Sequence, residues 1–125
     1  MIFDLSMKPT LVLGASVEPS RYSNMAAKRL MEHGHAVTLV GKVGGEINGV
    51  PIQRSIPLNE KIDTVTLYVN PGIQKLYYDD IIKLKPKRII FNPGAENEEL
   101  KMMAEKNGIF TEEACTLTLL AIGGY

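Results

Sequence analysis

The sequence predicts an α/β fold: a doubly wound, five-stranded parallel sheet in a three-layer α/β/α sandwich. Three observations lead there. Short apolar, β-rich runs alternate with stretches of helical spacing along the whole chain, the pattern of a parallel sheet wound by right-handed crossovers. The runs are almost continuously apolar, as strands buried on both faces must be. Each run stops at glycine, small or polar residues: Gly14-Ala15-Ser16, Gly41-Lys42-Val43, Asn70-Pro71-Gly72, Asn92-Pro93-Gly94 and Glu112-Glu113-Ala114-Cys115. In such a sheet these carboxyl ends are where a ligand binds.

Taken in order, residues 1–8 read as a tail and 9–125 as one domain. "TLVLGAS" at 10–16 is the first strand, stopped by Gly14. Residues 22–33 are a helix in which Met25, Ala26, Ala27 and Leu30 share a face, with Gly34 as its stop. "AVTLVG" at 36–41 is the second strand. Asn48-Gly49, between Ile47 and Val50, signals a short hairpin over 46–52 that is expected outside the parallel core. "IDTVTLYVN" at 62–70 is the third strand, ended by Pro71-Gly72. Ile73, Leu76, Tyr77, Ile81 and Leu84 then fall at helical spacing, so 73–85 reads as one amphipathic helix closed by Pro86, with Tyr78 on its more exposed side. "KRIIFN" at 87–92 is the fourth strand. "ENEELKMMAEKN" at 96–107 is a helix with acids in its first turn and lysine in its last, which suits its dipole. "IFTEEA" at 109–114 is the fifth strand, and 115–125 a short helix or irregular cap. The expected strand order is 3-2-1-4-5.

Composition bounds the function. The 125 residues carry 14 Lys plus Arg against 14 Asp plus Glu, so the formal net charge is zero, which argues against a nucleic-acid binder. No apolar run approaches the ~18 residues of a membrane span. "MIFDLSM" is too short and acidic for a secretory signal. The single cysteine, Cys115, allows no internal disulfide, and no Cys/His spacing suggests a metal. A cytoplasmic protein is the expectation.

The loop after the first strand is nucleotide-like but lacks the full G-x-G-x-x-G: Ser16 stands where the second glycine would be. Backbone amides, the hydroxyls of Ser16, Ser20 and Ser23, the following helix N-terminus and Arg21 can together meet a phosphate. The plainer alternative is a turn at Gly14 with serines that cap the helix. At the end of the second strand an NAD site places Asp or Glu, whereas this chain has Lys42. A cation there suits a phosphorylated ribose, as in coenzyme A or NADP, unless it is simply a solvated lysine. Cys115 is the candidate thiol contact; a small buried hydrophobe is the alternative. His33 and His35 flank Gly34 at the opposite end of the strands, and Glu112 and Glu113 read as solvated or capping, so no catalytic residue is assigned.

These pieces resemble the single-domain CoA-binding proteins related to the CoA-binding domain of the succinyl-CoA synthetase alpha subunit. The resemblance rests on "VLGAS" at 12–16, "RYSNMAAKRLMEHGHAV" at 21–37, Lys42, "YVNPG" at 68–72, "FNPGAENEEL" at 91–100 and the Cys115 segment. It implies a Rossmann-like fold that holds CoA or acyl-CoA across the strand ends, lined by Gly14, Ala15, Ser16, Arg21, Ser23, Lys42, Asn70, Pro71, Asn92 and Gly94. It implies no nucleic-acid or membrane partner, and edge strands leave a homodimer open. Two other readings stand beside it: an NADPH-dependent reductase, and an interaction module that has lost its nucleotide.

Overall fold

The computed structural model describes residues 7–125. Of the tail expected over 1–8, residues 1–6 lie outside the described residues. Lys8 is held by the domain: its backbone N–H donates to His35 Nδ1 at 2.9 Å and its ammonium to the Tyr125 carbonyl at 3.1 Å.

Among the described residues the sheet has seven strands: β1 (Thr10–Leu13), β2 (Val37–Val40), β3 (Glu46–Ile47), β4 (Val50–Gln53), β5 (Thr64–Leu67), β6 (Arg88–Phe91) and β7 (Phe110–Glu113), in the order β3-β4-β2-β1-β5-β6-β7. All neighbours are parallel except the β3–β4 hairpin. The helices are α1 (Tyr22–Glu32), α2 (Pro71–Gln74), a 3-10 turn (Lys75–Tyr77), α3 (Tyr78–Leu84), α4 (Glu98–Lys106) and α5 (Thr116–Ala121).

The period-2 alternation of the strands splits the core into two layers. Leu11 and Leu13 of β1 join Val65, Leu67, Ile89 and Phe91 beneath Ile81 of α3 and Leu100 and Ala104 of α4. Val12 points the other way, with Leu39 and Ile52, against Ala27 and Leu30 of α1 and Leu120 of α5. Helices therefore cover both faces, which is the three-layer, Rossmann-like architecture.

The strand order departs from 3-2-1-4-5. The 62–70 segment, β5, pairs with β1 (Thr10↔Thr64 to Leu13↔Leu67) and not with β2. The place beside β2 belongs to β4, whose Ile52 and Gln53 pair in parallel with Leu39 and Val40. The expected hairpin does form, with Asn48 and Gly49 at positive φ of 46° and 85°. It lies inside the sheet because Ile47 and Ile52 are buried in the α1 layer and cover the edge of β2.

Two helices also differ. The buried face of α1 comprises Ser23, Asn24, Ala26, Ala27 and Leu30, while Met25 is 37% exposed. The single helix expected over 73–85 is broken by the 3-10 turn, which shifts the register and leaves Leu76 79% exposed. Tyr78 turns inward: it packs on the core and its hydroxyl accepts from Asn97 Nδ2 at 2.8 Å.

Candidate functional site

Parallel pairing carries the ends of β2, β1, β5, β6 and β7 to one edge. Along that edge lie Lys42, then Gly14 to Ser23, then Asn70-Pro71, Asn92 to Gly94, and Cys115. From β1 the chain leaves through α1 on one face; from β5 it leaves through α2 and α3 on the other. The crevice of a doubly wound sheet opens where neighbouring strands part in this way.

The loop after β1 is shaped from several sides. Gly14 has φ of 100°, and a side chain there would meet Val69 Cγ1 at 2.9 Å and the Tyr68 carbonyl carbon at 3.1 Å. Gly14 and Ala15 both spend their N–H groups on the Val40 carbonyl, at 2.8 and 2.9 Å. Gly14→Val would therefore disturb the fold: left-handed backbone and close packing both oppose it. Asn24, buried in the first turn of α1, donates from Nδ2 to the Ser16 carbonyl at 2.8 Å. Its Oδ1 has no hydrogen-bond partner among the described residues. Ser16 Oγ accepts from the Glu18 N–H at 3.2 Å, Arg21 is the exposed N-cap of α1, and Ser23 is only 4% exposed.

The loop after β2 locks onto this one. A Cβ on Gly41 would collide with the Ala15 carbonyl oxygen, and one on Gly45 would lie 2.5 Å from Val17 Cγ1. Lys42 is exposed between these two contact points.

Further along, Asn70 caps α2 by accepting from the Ile73 N–H at 3.0 Å, with Pro71 at the first helical position. Asn92 is buried at 2% exposure. Its amide donates to Thr66 Oγ1 at 2.7 Å and the Leu67 carbonyl at 2.9 Å, and its Oδ1 accepts from the Thr116 N–H at 2.9 Å. It thus fastens the start of α5 to the end of β5. Gly94, exposed at φ of 93°, donates to Glu96 Oε1 at 2.9 Å. Cys115 is half-buried just before α5, and a hydrogen bond from the Thr118 side chain holds its thiol below the ordinary range, partly offset by burial.

Several polar groups near this edge were not singled out from sequence. Tyr68, which follows β5, is pushed up to about 12 by burial; the Thr116 and Thr66 hydroxyls offset part of that without completing a hydrogen bond. Gln74, fully buried, donates to the Val69 and Ala95 carbonyls at 2.8 Å each and accepts from Asn97 Nδ2 at 2.9 Å. A polar residue at a core position of an apolar helical pattern was the available signal. Glu112 is neither solvated nor a cap: it pairs with the buried Arg88 at 3.3 Å. His33 and His35 lie at the opposite edge, where His35 stacks 5.0 Å from Tyr125. Two surface grooves run between helices, one of 380 Å³ between α1 and α5 and one of 310 Å³ between α3 and α4; neither is lined by a strand-end loop residue.

The family model for the CoA binding domain matches residues 8–121. The chain belongs to the CoA binding domain family. Solved structures share its fold. A crystal structure of an uncharacterised protein is 49% identical to this CoA binding domain, covers 96% of this chain and 99% of its own, and superposes with a TM-score of 0.93. A hypothetical protein from Pyrococcus horikoshii is 29% identical over 94% of this chain and 84% of its own, with a TM-score of 0.80. A dinucleotide-forming acetyl-coenzyme A synthetase from Ca. Korarchaeum cryptofilum shares the fold: TM-score 0.70, 20% identity, 86% of this chain and 25% of that one. No curated protein shows significant sequence similarity to the chain. No helix among the described residues is long and apolar enough to cross a membrane.

Proposed function

We propose that this CoA binding domain holds coenzyme A across the carboxyl ends of its strands, as a cytoplasmic carrier or sensor that does not transform its ligand. The observation that carries the reading is the interlock of two loops. Gly41 and Gly45 press against Ala15 and Val17, so the exposed Lys42 is fixed beside the nucleotide-like loop. In the proposal Lys42 meets the 3′-phosphate, and Ser16, Arg21 and the start of α1 meet the diphosphate. Gly14, Ala15 and Ser23 shape that loop. Asn70, Pro71 and Gly94 line the path of the pantetheine arm, and Asn92 holds Cys115 near its thiol end.

Titration calorimetry of the wild type and Lys42→Glu with CoA, dephospho-CoA and NADPH tests this. A lost charge-assisted contact is worth roughly tenfold to hundredfold in affinity, so CoA binding should fall by that factor and dephospho-CoA binding much less. The preference for CoA should shrink with salt, since an exposed phosphate is screened within ~10 Å at 0.1 M. Equal losses for both forms would remove Lys42 from the phosphate. Tighter binding of NADPH than of CoA by the wild type would replace the reading with a reductase.

A further inference from the structure

Four amide side chains are buried among the described residues: Asn24, Gln74, Asn92 and Asn97. Three of them meet both ends of the amide. Gln74, Asn92 and Asn97 each donate twice from nitrogen and accept once on oxygen. Asn24 does not. At 2% exposure its side chain makes one hydrogen bond, from Nδ2 to the Ser16 carbonyl at 2.8 Å, and Oδ1 is left without a partner among the described residues. A buried acceptor without a donor is destabilising, so an asparagine kept only to tie the loop down is a poor choice here. What its one bond does to the loop is more informative. The Ser16–Val17 peptide is trans, so its C=O and N–H point to opposite sides of the chain. Pinning the Ser16 carbonyl onto the buried Asn24 therefore turns the Val17 N–H out of the loop. That N–H is not spent on any acceptor among the described residues, and Val17 is exposed. The start of α1 follows this turn and carries the positive end of its helix dipole. It is also left open: Arg21, the N-cap, makes no side-chain cap bond and no acid stands in the first turn, whereas α4 has Asn97 as its cap followed by Glu98 and Glu99. Without the Asn24 bond the Ser16 carbonyl is free to rotate outward, where its negative end would face any anion held at this turn.

We propose that Asn24 is a positioning residue for the diphosphate of the ligand: it aims the Val17 N–H at a phosphate oxygen and keeps the Ser16 carbonyl dipole away from it. This rests on the strand-end reading above and adds two residues to it, Val17, which touches the ligand through its backbone, and Asn24, which acts only through that contact. Stability is not what Asn24 supplies. Replacing it with alanine loses one hydrogen bond but also removes the unmet acceptor, and the half-buried Ser16 carbonyl can turn to water.

The test combines titration calorimetry, thermal melts and proton–nitrogen correlation spectra of the wild type and Asn24→Ala, with CoA and dephospho-CoA as ligands. Both ligands carry the diphosphate, so Asn24→Ala should weaken both by the same factor, roughly tenfold for one hydrogen bond to a charged group, with the melt unchanged. Lys42→Glu separates the two ligands instead, so the two variants are told apart. In the spectra CoA should move the Val17 amide proton of the wild type downfield, as bonding to a phosphate oxygen does, and should leave that of Asn24→Ala near its free position. Equal CoA affinity in the two proteins overturns the inference. So does a wild-type Val17 amide that stays in place while CoA binds and other strand-end amides move. This second measurement needs no variant, so it decides even where Asn24→Ala melts lower. In both cases the strand-end reading stands. If CoA does not bind the wild type, or moves only amides away from the strand ends, that reading falls and this inference with it.

Discussion

Gly14 and Cys115 both lie in the candidate site, and each is constrained by something invisible in its own identity. At Gly14 the constraint is backbone: φ of 100° with Val69 and Tyr68 in contact distance of any Cβ. Gly14→Ala should therefore cost about 1–3 kcal/mol of stability, read as a lower urea midpoint at unchanged slope. A variant as stable as the wild type would mean that the turn relaxes. At Cys115 the constraint is Thr118, whose side-chain hydrogen bond is the largest influence and lowers the thiol's pKa. A lowered pKa keeps thiolate present at lower pH, so removing the donor must move the titration upward. Thr118→Val is expected to shift the pH midpoint of Cys115 alkylation up, with the protein still folded; an unmoved midpoint would leave the backbone of α5 as the source. The residue types at this edge were legible in the sequence, because glycine and asparagine at strand ends have few other uses. Their division of labour was not. That Asn92 spends its amide on Thr66, Leu67 and Thr116, while Asn70 caps an exposed turn, depends on contacts between distant segments.

Among the elements, the segment from Asn70 to Leu84 is where periodicity misleads. The spacing of Ile73, Leu76, Tyr77, Ile81 and Leu84 fits one helix, yet the chain caps at Asn70, tightens through Lys75–Tyr77 and restarts at Tyr78. The reason lies in Gln74. Its amide is the only way to satisfy the Val69 and Ala95 carbonyls from this segment that the bonding pattern shows, and turning it inward forces its neighbours out. Gln74→Leu restores the apolar pattern but orphans two carbonyls and leaves the Asn97 amide only its bond to the Tyr78 hydroxyl. Leaving buried polar groups unmet costs about 1–3 kcal/mol, more than the added apolar burial returns after the bonds are lost, so the variant should melt lower. A more stable Gln74→Leu protein would show that the inverted segment has no structural necessity. By contrast α4 was legible nearly to the residue, since Asn97 caps it by accepting from the Leu100 N–H and acids fill its first turn. All its determinants are local.

At the level of the whole molecule, alternation of strand and helix fixed the class and the three layers, but not the order of strands. A two-residue ladder, Leu39↔Ile52 and Val40↔Gln53, is enough to bring β4 beside β2 and send β5 to the far side of β1. Short ladders carry little sequence signal, and their register is decided by which apolar side chains the core can accept. The layer between the sheet and α5 was equally hidden. It is built of Thr10, Thr64, Thr66, Tyr68, Arg88, Asn92, Thr116 and Tyr125, with Tyr125 hydrogen-bonded to Thr10 at 2.5 Å and its ring 4.3 Å from the Arg88 guanidinium. This polar layer makes the fold sensitive to alkali. Burial is the main cause that raises both Tyr68, to about 12, and Tyr125. In the unfolded chain tyrosine ionises near 10, so between roughly pH 10 and 12 the unfolded state has released protons that the folded state still holds. Stability then falls as pH rises, whereas below pH 10 the contribution is fully present. For Tyr68 alone this amounts to roughly 2 kcal/mol lost by pH 12. The measurement is a difference, so that contributions common to both proteins cancel: urea unfolding of the wild type and Tyr68→Phe at pH 8 and pH 11.5. At pH 8 the two should be equal or the variant slightly more stable, because the hydroxyl it removes has no hydrogen-bond partner among the described residues. At pH 11.5 the variant should be clearly the more stable. A wild type that loses no more stability than Tyr68→Phe over this range would mean that the hydroxyl is solvated and that α5 does not seal the layer beneath it.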